Sequence, residues 1–157
     1  MGENAEQNNN QQPASFTWPL DPVTQGTLRR WLGSEPVDAS IRYVVWRVWD
    51  YATFLATGNV AGGDFECPFD GTITEVYAYS DTAGTTNTTT VDINKSGTTI
   101  LSTKITIDST EKTSRTAATP PVISVSSITE GNIITVDIDA VQTSPARGLT
   151  VVLVIST

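Results

Sequence analysis

Alternation of hydrophobic and polar residues along the second half of the chain predicts short β-strands. Every second residue from Ile134 to Ala140 is apolar and the residues between them are polar, so a strand here has one buried and one solvated face. The closing run, residues 149–155, is apolar at almost every position. That pattern predicts a central strand whose two faces are both covered.

Turn-forming Gly, Pro, Asp and Asn residues punctuate the chain after residue 60 at intervals of roughly 8–12 residues, which is typical of all-β domains. The strands that they separate are predicted at 72–79, 89–94, 98–107, 133–141 and 149–155, with weaker ones near Asp64 and Val122. With a further strand at 41–51, the pattern predicts about eight strands. The expected fold is an all-β antiparallel sandwich or jelly roll.

The segment 41–51 fits two periodicities. Ile41, Val44 and Val48 recur at helical spacing, whereas the same stretch also alternates strictly from one residue to the next. Its valines and aromatic residues have low helix preference and high strand preference. We therefore predict a strand with apolar groups on both faces, interrupted by Arg47.

The first 40 residues differ in character from the rest and are predicted to form an arm ahead of a sandwich domain at 41–157. Residues 1–15 are polar and cannot bury enough apolar surface to order alone. Residues 16–32 are rich in large apolar groups that need a surface to cover. Asp21 as N-cap, Pro22 at the first helical position and Gly33 as a stop predict one short helix at 22–32.

Composition excludes several classes of function. The chain carries 17 acidic and 9 basic side chains, a formal net charge of −8, no histidine and one cysteine. Without histidine it cannot form a Ser-His-Asp or Cys-His arrangement, and one cysteine cannot form an internal disulfide framework. The acidic balance opposes binding to nucleic acid. No apolar run is long enough to span a membrane, so we expect neither nucleic acid nor membrane as a partner.

The remaining candidates for chemistry are acidic residues and one thiol. Asp137 and Asp139, with Asp92 or Asp108, offer oxygen ligands for calcium, but alternate acids on a solvated strand face are usually just solvation. Asp64 and Glu66 form the densest acidic pair, which a glycoside hydrolase would need at a fixed separation and which an edge strand also uses to block pairing. Cys67 stands among apolar residues and is predicted to be a buried, inert side chain. We expect no catalytic residue, no metal and no cofactor.

Two stretches, residues 101–123 and 128–155, resemble a recurrent β-sandwich module of tailed-bacteriophage virion proteins. The likeness covers roughly residues 60–157. It rests on a Leu-Ser strand, an Ile-Asp step, a Glu-x-x-Ser loop, a Pro-Val-Ile strand, a Gly-centred turn, a VD-x-DAV strand and a closing Gly-Leu-Thr-Val strand. These correspond to Leu101-Ser102, Ile107-Asp108, Glu111 with Ser114, Pro121 to Ile123, Gly131, Val136 to Val141, and Gly148 to Val151.

The resemblance implies a non-enzymatic structural protein of the virion, often a homotrimer, held by its N-terminal arm on other virion proteins. The first interpretation is a capsid decoration or head-fibre protein, whose arm binds the major capsid protein or a tail or connector protein. The residues expected to bind the partner are Phe16, Trp18, Leu20, Leu28, Arg29, Arg30 and Trp31. The arginine doublet has a second interpretation, as the solvated face of the short helix.

Further roles follow from the same interpretation. Trp46, Trp49 and Tyr51 are expected at the join between arm and sandwich, and the loop 109–121 is expected to contact another subunit. The alternative within the same class is a small tail fibre or tail-attached protein that binds a host glycan through Tyr77 and Tyr79. A third hypothesis, from another class, is a secreted carbohydrate-active enzyme that uses Asp64 and Glu66.

Overall fold

The structure is a computed structural model that describes residues 41–60 and 64–157. Those residues form strands and one short 3-10 turn at Ser114–Thr116, which confirms the predicted all-β class. The strands are β1 (Ile41–Phe54), β2 (Gly58–Asn59), β3 (Phe65–Glu66), β4 (Gly71–Tyr79), β5 (Thr89–Lys95), β6 (Thr98–Thr99), β7 (Leu101–Thr103), β8 (Ile105–Ile107), β9 (Val122–Ile123), β10 (Ser127–Ile128), β11 (Ile133–Ala140) and β12 (Arg147–Ser156). The predicted arm and its helix at 22–32 lie outside the described residues.

The described strands pair antiparallel in three sheets. The first sheet has the order β1-β12-β4-β10. The second has the order β2-β11-β5-β6, with β3 also pairing β11 and β8 also pairing β5. A small third sheet joins β7 to β9. Most of the long strands pair with strands that are distant in the sequence: β1 with β12, β12 with β4, and β11 with β5.

The two larger sheets contribute side chains to one hydrophobic core. Val151 and Leu153 of β12 belong to it together with Ile93 of β5 and Val136 of β11, and each of these side chains is fully buried. Burial of apolar area on this scale is the main term that favours folding. The arrangement is consistent with the predicted sandwich.

Strand β12 lies between β1 and β4, and its residues from Gly148 to Ile155 are all buried. The central position predicted for the apolar run at 149–155 is thus confirmed.

The alternation in β11 is confirmed as well, because Ile134, Val136 and Ile138 are buried and the acidic residues between and after them are not fully buried.

Strand β1 confirms the choice of strand over helix for residues 41–51 and extends further, to Phe54. It pairs with β12 along nearly its whole length and has register shifts after Arg47 and after Trp49. Such bulges bend a strand and reverse which residues face the core. In a regular strand, Trp46 and Trp49 would face opposite sides because they are three residues apart. The bulge between them explains why both pack against the core.

The single strand predicted at 98–107 is wrong in one respect, because the structure divides this segment into β6, β7 and β8. Asn94 pairs with Thr99 whereas Val91 pairs with Ile105, so five residues between the pairs on one side oppose two on the other. The excess residues leave β5, and β7 pairs with β9 instead. The sequence breaks its alternation here, because Ile100 and Leu101 are adjacent and Ser102 to Lys104 are all polar, and the prediction of one strand overlooked these breaks.

Candidate functional site

The outer face of the first sheet carries exposed aromatic and apolar side chains. Residues directly opposite one another in antiparallel strands project to the same face. Val152 of β12 lies between Val45 of β1 and Tyr77 of β4 in this register. We call the surface formed by this row and its two neighbours the tyrosine face. Its members are Tyr43, Val154 and Glu75 in one row, Val45, Val152 and Tyr77 in the next, and Arg47, Thr150 and Tyr79 in the third.

The tyrosine face is exposed mainly at its β1 side. Tyr43 is 67% exposed and Val45 is 56% exposed, whereas Val152 and Val154 on the central strand are buried. Tyr51 and Phe54, near the end of β1, are exposed as well. Large exposed apolar groups that form a contiguous patch are typical of contact surfaces, whereas single ones are common on any protein.

Arg115 covers the β4 side of this face. Its guanidinium carbon lies 3.8 Å from the centre of the Tyr77 ring, and Nη2 lies 3.0 Å from Glu75 Oε1. The contact with Tyr77, and after it the negative charge of Glu75, raises the pKa of Arg115 above its ordinary value. A guanidinium is charged at any physiological pH, and here it is held by a cation–π contact and an ion pair.

The 3-10 turn fixes the position of Arg115. The turn follows Thr113, whose hydroxyl accepts a hydrogen bond from the Arg115 N–H at 3.2 Å. The buried Ser114 hydroxyl accepts one from the Ala78 N–H of β4 at 2.9 Å, and Thr113 forms a bridge with Tyr79. The loop predicted at 109–121 thus lies against β4 of its own chain; the structure does not test its expected contact with another subunit.

A groove of about 490 Å3 lies between β4 and the segment that leads into β9. One wall is charged and aromatic, formed by Glu75, Tyr77 and Arg115, and the other is formed by Pro120, Pro121, Val122 and Ile123. Thr74, Val76 and Ser114 complete the lining. Tyr77, which the sequence suggested as a stacking residue, lies in this groove, whereas Tyr79 lies outside its lining.

The acidic residues considered for calcium are arranged around a lysine. Lys104 Nζ lies 2.5 Å from Asp139 Oδ2 and 3.1 Å from Asp92 Oδ2. Asp137, directly opposite Asp92 in the sheet, accepts a hydrogen bond from Asn94 at 2.7 Å. Hydrogen bonds with Asp139 and then Asp92 raise the pKa of Lys104 above its usual value.

Lys104 therefore already forms ion pairs with two of the acidic residues considered for calcium, Asp92 and Asp139. Asp108 is used elsewhere, as acceptor from the Ala118 N–H at 2.9 Å. Within residues 41–60 and 64–157, no group of three or more His, Cys, Asp or Glu side chains is placed to hold a metal ion. Lys104 was not singled out from the sequence, since its partners stand 12 and 35 residues away.

The other acidic pair lies at the surface. Asp64 and Glu66 are both exposed, and Glu66 pairs with Ile133 at the margin of the second sheet. Cys67 is fully buried, and its thiol donates to the Phe69 carbonyl at 3.1 Å. The prediction of a buried thiol is confirmed.

Of the aromatic residues expected at the join with the arm, Trp46 and Trp49 are half-buried against the core and Tyr51 is exposed. The Trp46 ring stacks on Phe65 with centroids 5.8 Å apart. The expected partner-binding residues lie outside the described residues. They are Phe16, Trp18, Leu20, Leu28, Arg29, Arg30 and Trp31.

Two further findings bear on the function. Among the residues that the structure describes there is no helix of the length and apolarity needed to cross a membrane. Comparison of the chain with models of protein families, with curated proteins and with solved structures finds no match.

Proposed function

We propose that this chain is a non-enzymatic structural protein of a tailed-bacteriophage particle, a capsid decoration or head-fibre protein built on a β-sandwich. In this proposal residues 16–31 bind another virion protein, and the β-domain at 41–157 is presented outward as a homotrimer. The apolar segment at 16–32 precedes the β-domain in the sequence. The site of action is the virion.

The observation that supports this proposal best is the outer face of the first sheet. Strand β1 is 14 residues long and, among the strands that the structure describes, lies at the edge of its sheet. It carries exposed Tyr43, Val45, Tyr51 and Phe54. Long edge strands with exposed apolar side chains promote association with another chain, and monomeric proteins generally avoid them.

The chemistry of the described residues also favours binding over catalysis. Asp92 and Asp139 form ion pairs with Lys104 within the chain, and Cys67 is buried and bonded to a carbonyl. The surface that remains open combines tyrosine, valine and arginine. Tyr and Arg are the residue types enriched where proteins bind one another.

The proposal is tested by following the chain into purified virions. Trp18→Ala with Trp31→Ala should reduce the copy number per particle at least about tenfold, because aromatic anchors contribute most of the binding energy of an interface. Gln11→Ala with Gln12→Ala, in the polar stretch of the same segment, is the matched control and should leave incorporation unchanged. Unchanged incorporation of the tryptophan variant, or absence of the chain from virions, contradicts the proposal.

The alternative is a small tail fibre or tail-attached protein that binds a host glycan, and the groove lined by Tyr77 and Arg115 favours it specifically. Copy number separates the two candidates. A shell protein is present in hundreds of copies, whereas a tail protein is present in about 3 to 18 copies, by the symmetry of each assembly. Quantitative mass spectrometry of purified virions makes this measurement.

A further inference from the structure

The groove beside β4 has the dimensions and the mixed lining of a small-ligand site. Its volume of about 490 Å3 falls in the range of about 300–1,000 Å3 that such sites occupy. It is lined on one side by apolar and conformationally rigid residues, Pro120 and Pro121, and on the other by a few polar groups. The lining therefore provides both contact area and directional hydrogen bonds.

The polar wall presents a donor and an acceptor side by side. Arg115 Nη2 and Glu75 Oε1 are 3.0 Å apart, and both side chains are about half exposed. A guanidinium has five N–H donors and a carboxylate has several lone pairs, so each keeps bonding capacity beyond this single contact. Adjacent hydroxyl groups, each able to donate and to accept, match such a pair.

The backbone of β4 adds one more donor and acceptor. The Ala78 N–H points away from β12 to the Ser114 hydroxyl, and Val76 is two residues earlier in the same regular stretch of register. Strand alternation therefore directs the Val76 N–H and C=O to the same edge, toward the groove that Val76 lines.

This edge is too short for an added peptide strand. The Ile73 N–H already donates to the Ser126 carbonyl at 2.7 Å, and Ala78 is bonded to Ser114. Only the few residues between them are open, whereas strand addition depends on a continuous row of main-chain hydrogen bonds. A compact ligand that bonds to side chains fits better than an extended polypeptide.

The charge of the groove selects a neutral ligand. Glu75 and Arg115 are its charged lining residues and their charges cancel. An anionic ligand would have to displace Glu75 and approach a chain of net charge −8. A cationic ligand would meet Arg115 at short range.

We propose that this groove binds a neutral saccharide. Arg115 and Glu75 bond adjacent ring hydroxyls, and Pro121 with the half-exposed Val122 contacts the C–H face of the sugar ring. Tyr77 holds Arg115 in place through the cation–π contact and contributes its ring edge to the wall. This inference rests on the alternative function given above and names its site and ligand class; a failed titration overturns the inference and leaves the virion copy number, which tests the first candidate, unaffected.

The test is a titration of the 15N-labelled full chain, followed by amide chemical shifts. The probes are three neutral glycosides, methyl α-D-mannopyranoside, methyl α-D-glucopyranoside and methyl β-D-galactopyranoside. At least one should give saturable shifts confined to the amides around Tyr77, Arg115 and Val122. For a ligand of this size the expected Kd is on the order of 1 mM.

Variants and competing probes make the result decisive. Arg115→Gln and Glu75→Gln should each weaken binding about tenfold, since each removes a hydrogen bond to a charged group. Lys112→Gln, a neighbouring exposed cation outside the lining, is the matched control and should bind as the unmodified chain does. The inference is overturned if all three glycosides leave the groove amides unmoved, or if only methyl β-D-glucuronide or a polyproline peptide shifts them.

Discussion

Replacing Lys104 by methionine removes the cation from a cluster of three carboxylates on the outer face of the second sheet. Asp92 is the most affected, because its side chain is only 7% exposed and its Oδ2 is bonded to Lys104 at 3.1 Å. Its other oxygen keeps two hydrogen bonds, from Thr99 Oγ1 at 2.6 Å and from the Ile93 N–H at 2.8 Å. The substitution therefore leaves a half-satisfied charge near neighbouring acids.

The magnitude follows from how buried each partner is. Removing one partner of a fully buried ion pair costs about 3–5 kcal/mol. Lys104 is 41% exposed, so water screens part of the interaction, and the surviving bonds of Asp92 reduce the loss further. We expect Lys104→Met to lower the free energy of unfolding by about 2 kcal/mol and Tm by roughly 5–10 °C.

The assay is urea unfolding at neutral pH, monitored by tryptophan fluorescence. Lys112→Met is the matched control, because Lys112 is exposed and has no ion pair with any of the described residues; it should change the free energy of unfolding by less than about 0.5 kcal/mol. Asp92→Asn in the Lys104→Met background removes the uncompensated charge and should restore about half of the loss. Coupling of about 1 kcal/mol in this double-mutant cycle is expected for residues in direct contact.

Two results refute this reasoning. If Lys104→Met unfolds at the same urea concentration as the control, Lys104 does not stabilise the carboxylates. If Asp92→Asn is as harmful with methionine at position 104 as with lysine there, the loss comes from packing of the lysine stem and not from its charge.

Three further predictions concern the β-domain. Gly148→Ala should lower the free energy of unfolding by about 2–4 kcal/mol in urea unfolding, because Gly148 has φ +64° and an added Cβ meets the Asp81 carboxylate; Gly97→Ala, at φ +80° in open space, should cost only about 1 kcal/mol. Ile138→Ala should cost about 2–5 kcal/mol in the same assay, since the side chain is fully buried. The Tm should fall as pH rises above about 10.5, because the pKa of Lys104 is raised in the folded state. The contribution of Lys104 to stability is complete below the ordinary pKa and is lost as pH rises through the higher pKa of the folded state. An equal alkaline fall in the Tm of Lys104→Met would contradict this.

Local pattern was sufficient for the strands that carry the core. The buried face of β11 follows from period-2 alternation, and the central position of β12 follows from a run that is apolar on both sides. The choice of strand for β1 needed residue preference, because its periodicity fits a helix as well. In each case the information lies within about ten consecutive residues.

The candidate site could not be predicted in the same way, since it depends on contacts between distant residues. Arg115 meets Glu75 and Tyr77 only because the 3-10 turn is bonded to β4. Lys104 reaches Asp92 only because the chain leaves β5 between β6 and β8. Neither periodicity nor residue preference encodes such pairings, and the expected glycan residue Tyr79 lies outside the groove for this reason.

The outer faces of the two main sheets differ in a way that bears on function. On the second sheet, Asp92 and Asp139 each form an ion pair with Lys104. On the first sheet, Tyr43 and Val45 are open to solvent beside the central strand. Covering exposed apolar area is favourable when a partner binds, whereas charged groups that already form ion pairs contribute little. Contact with other molecules is therefore expected at the tyrosine face, which is also the face that Arg115 borders.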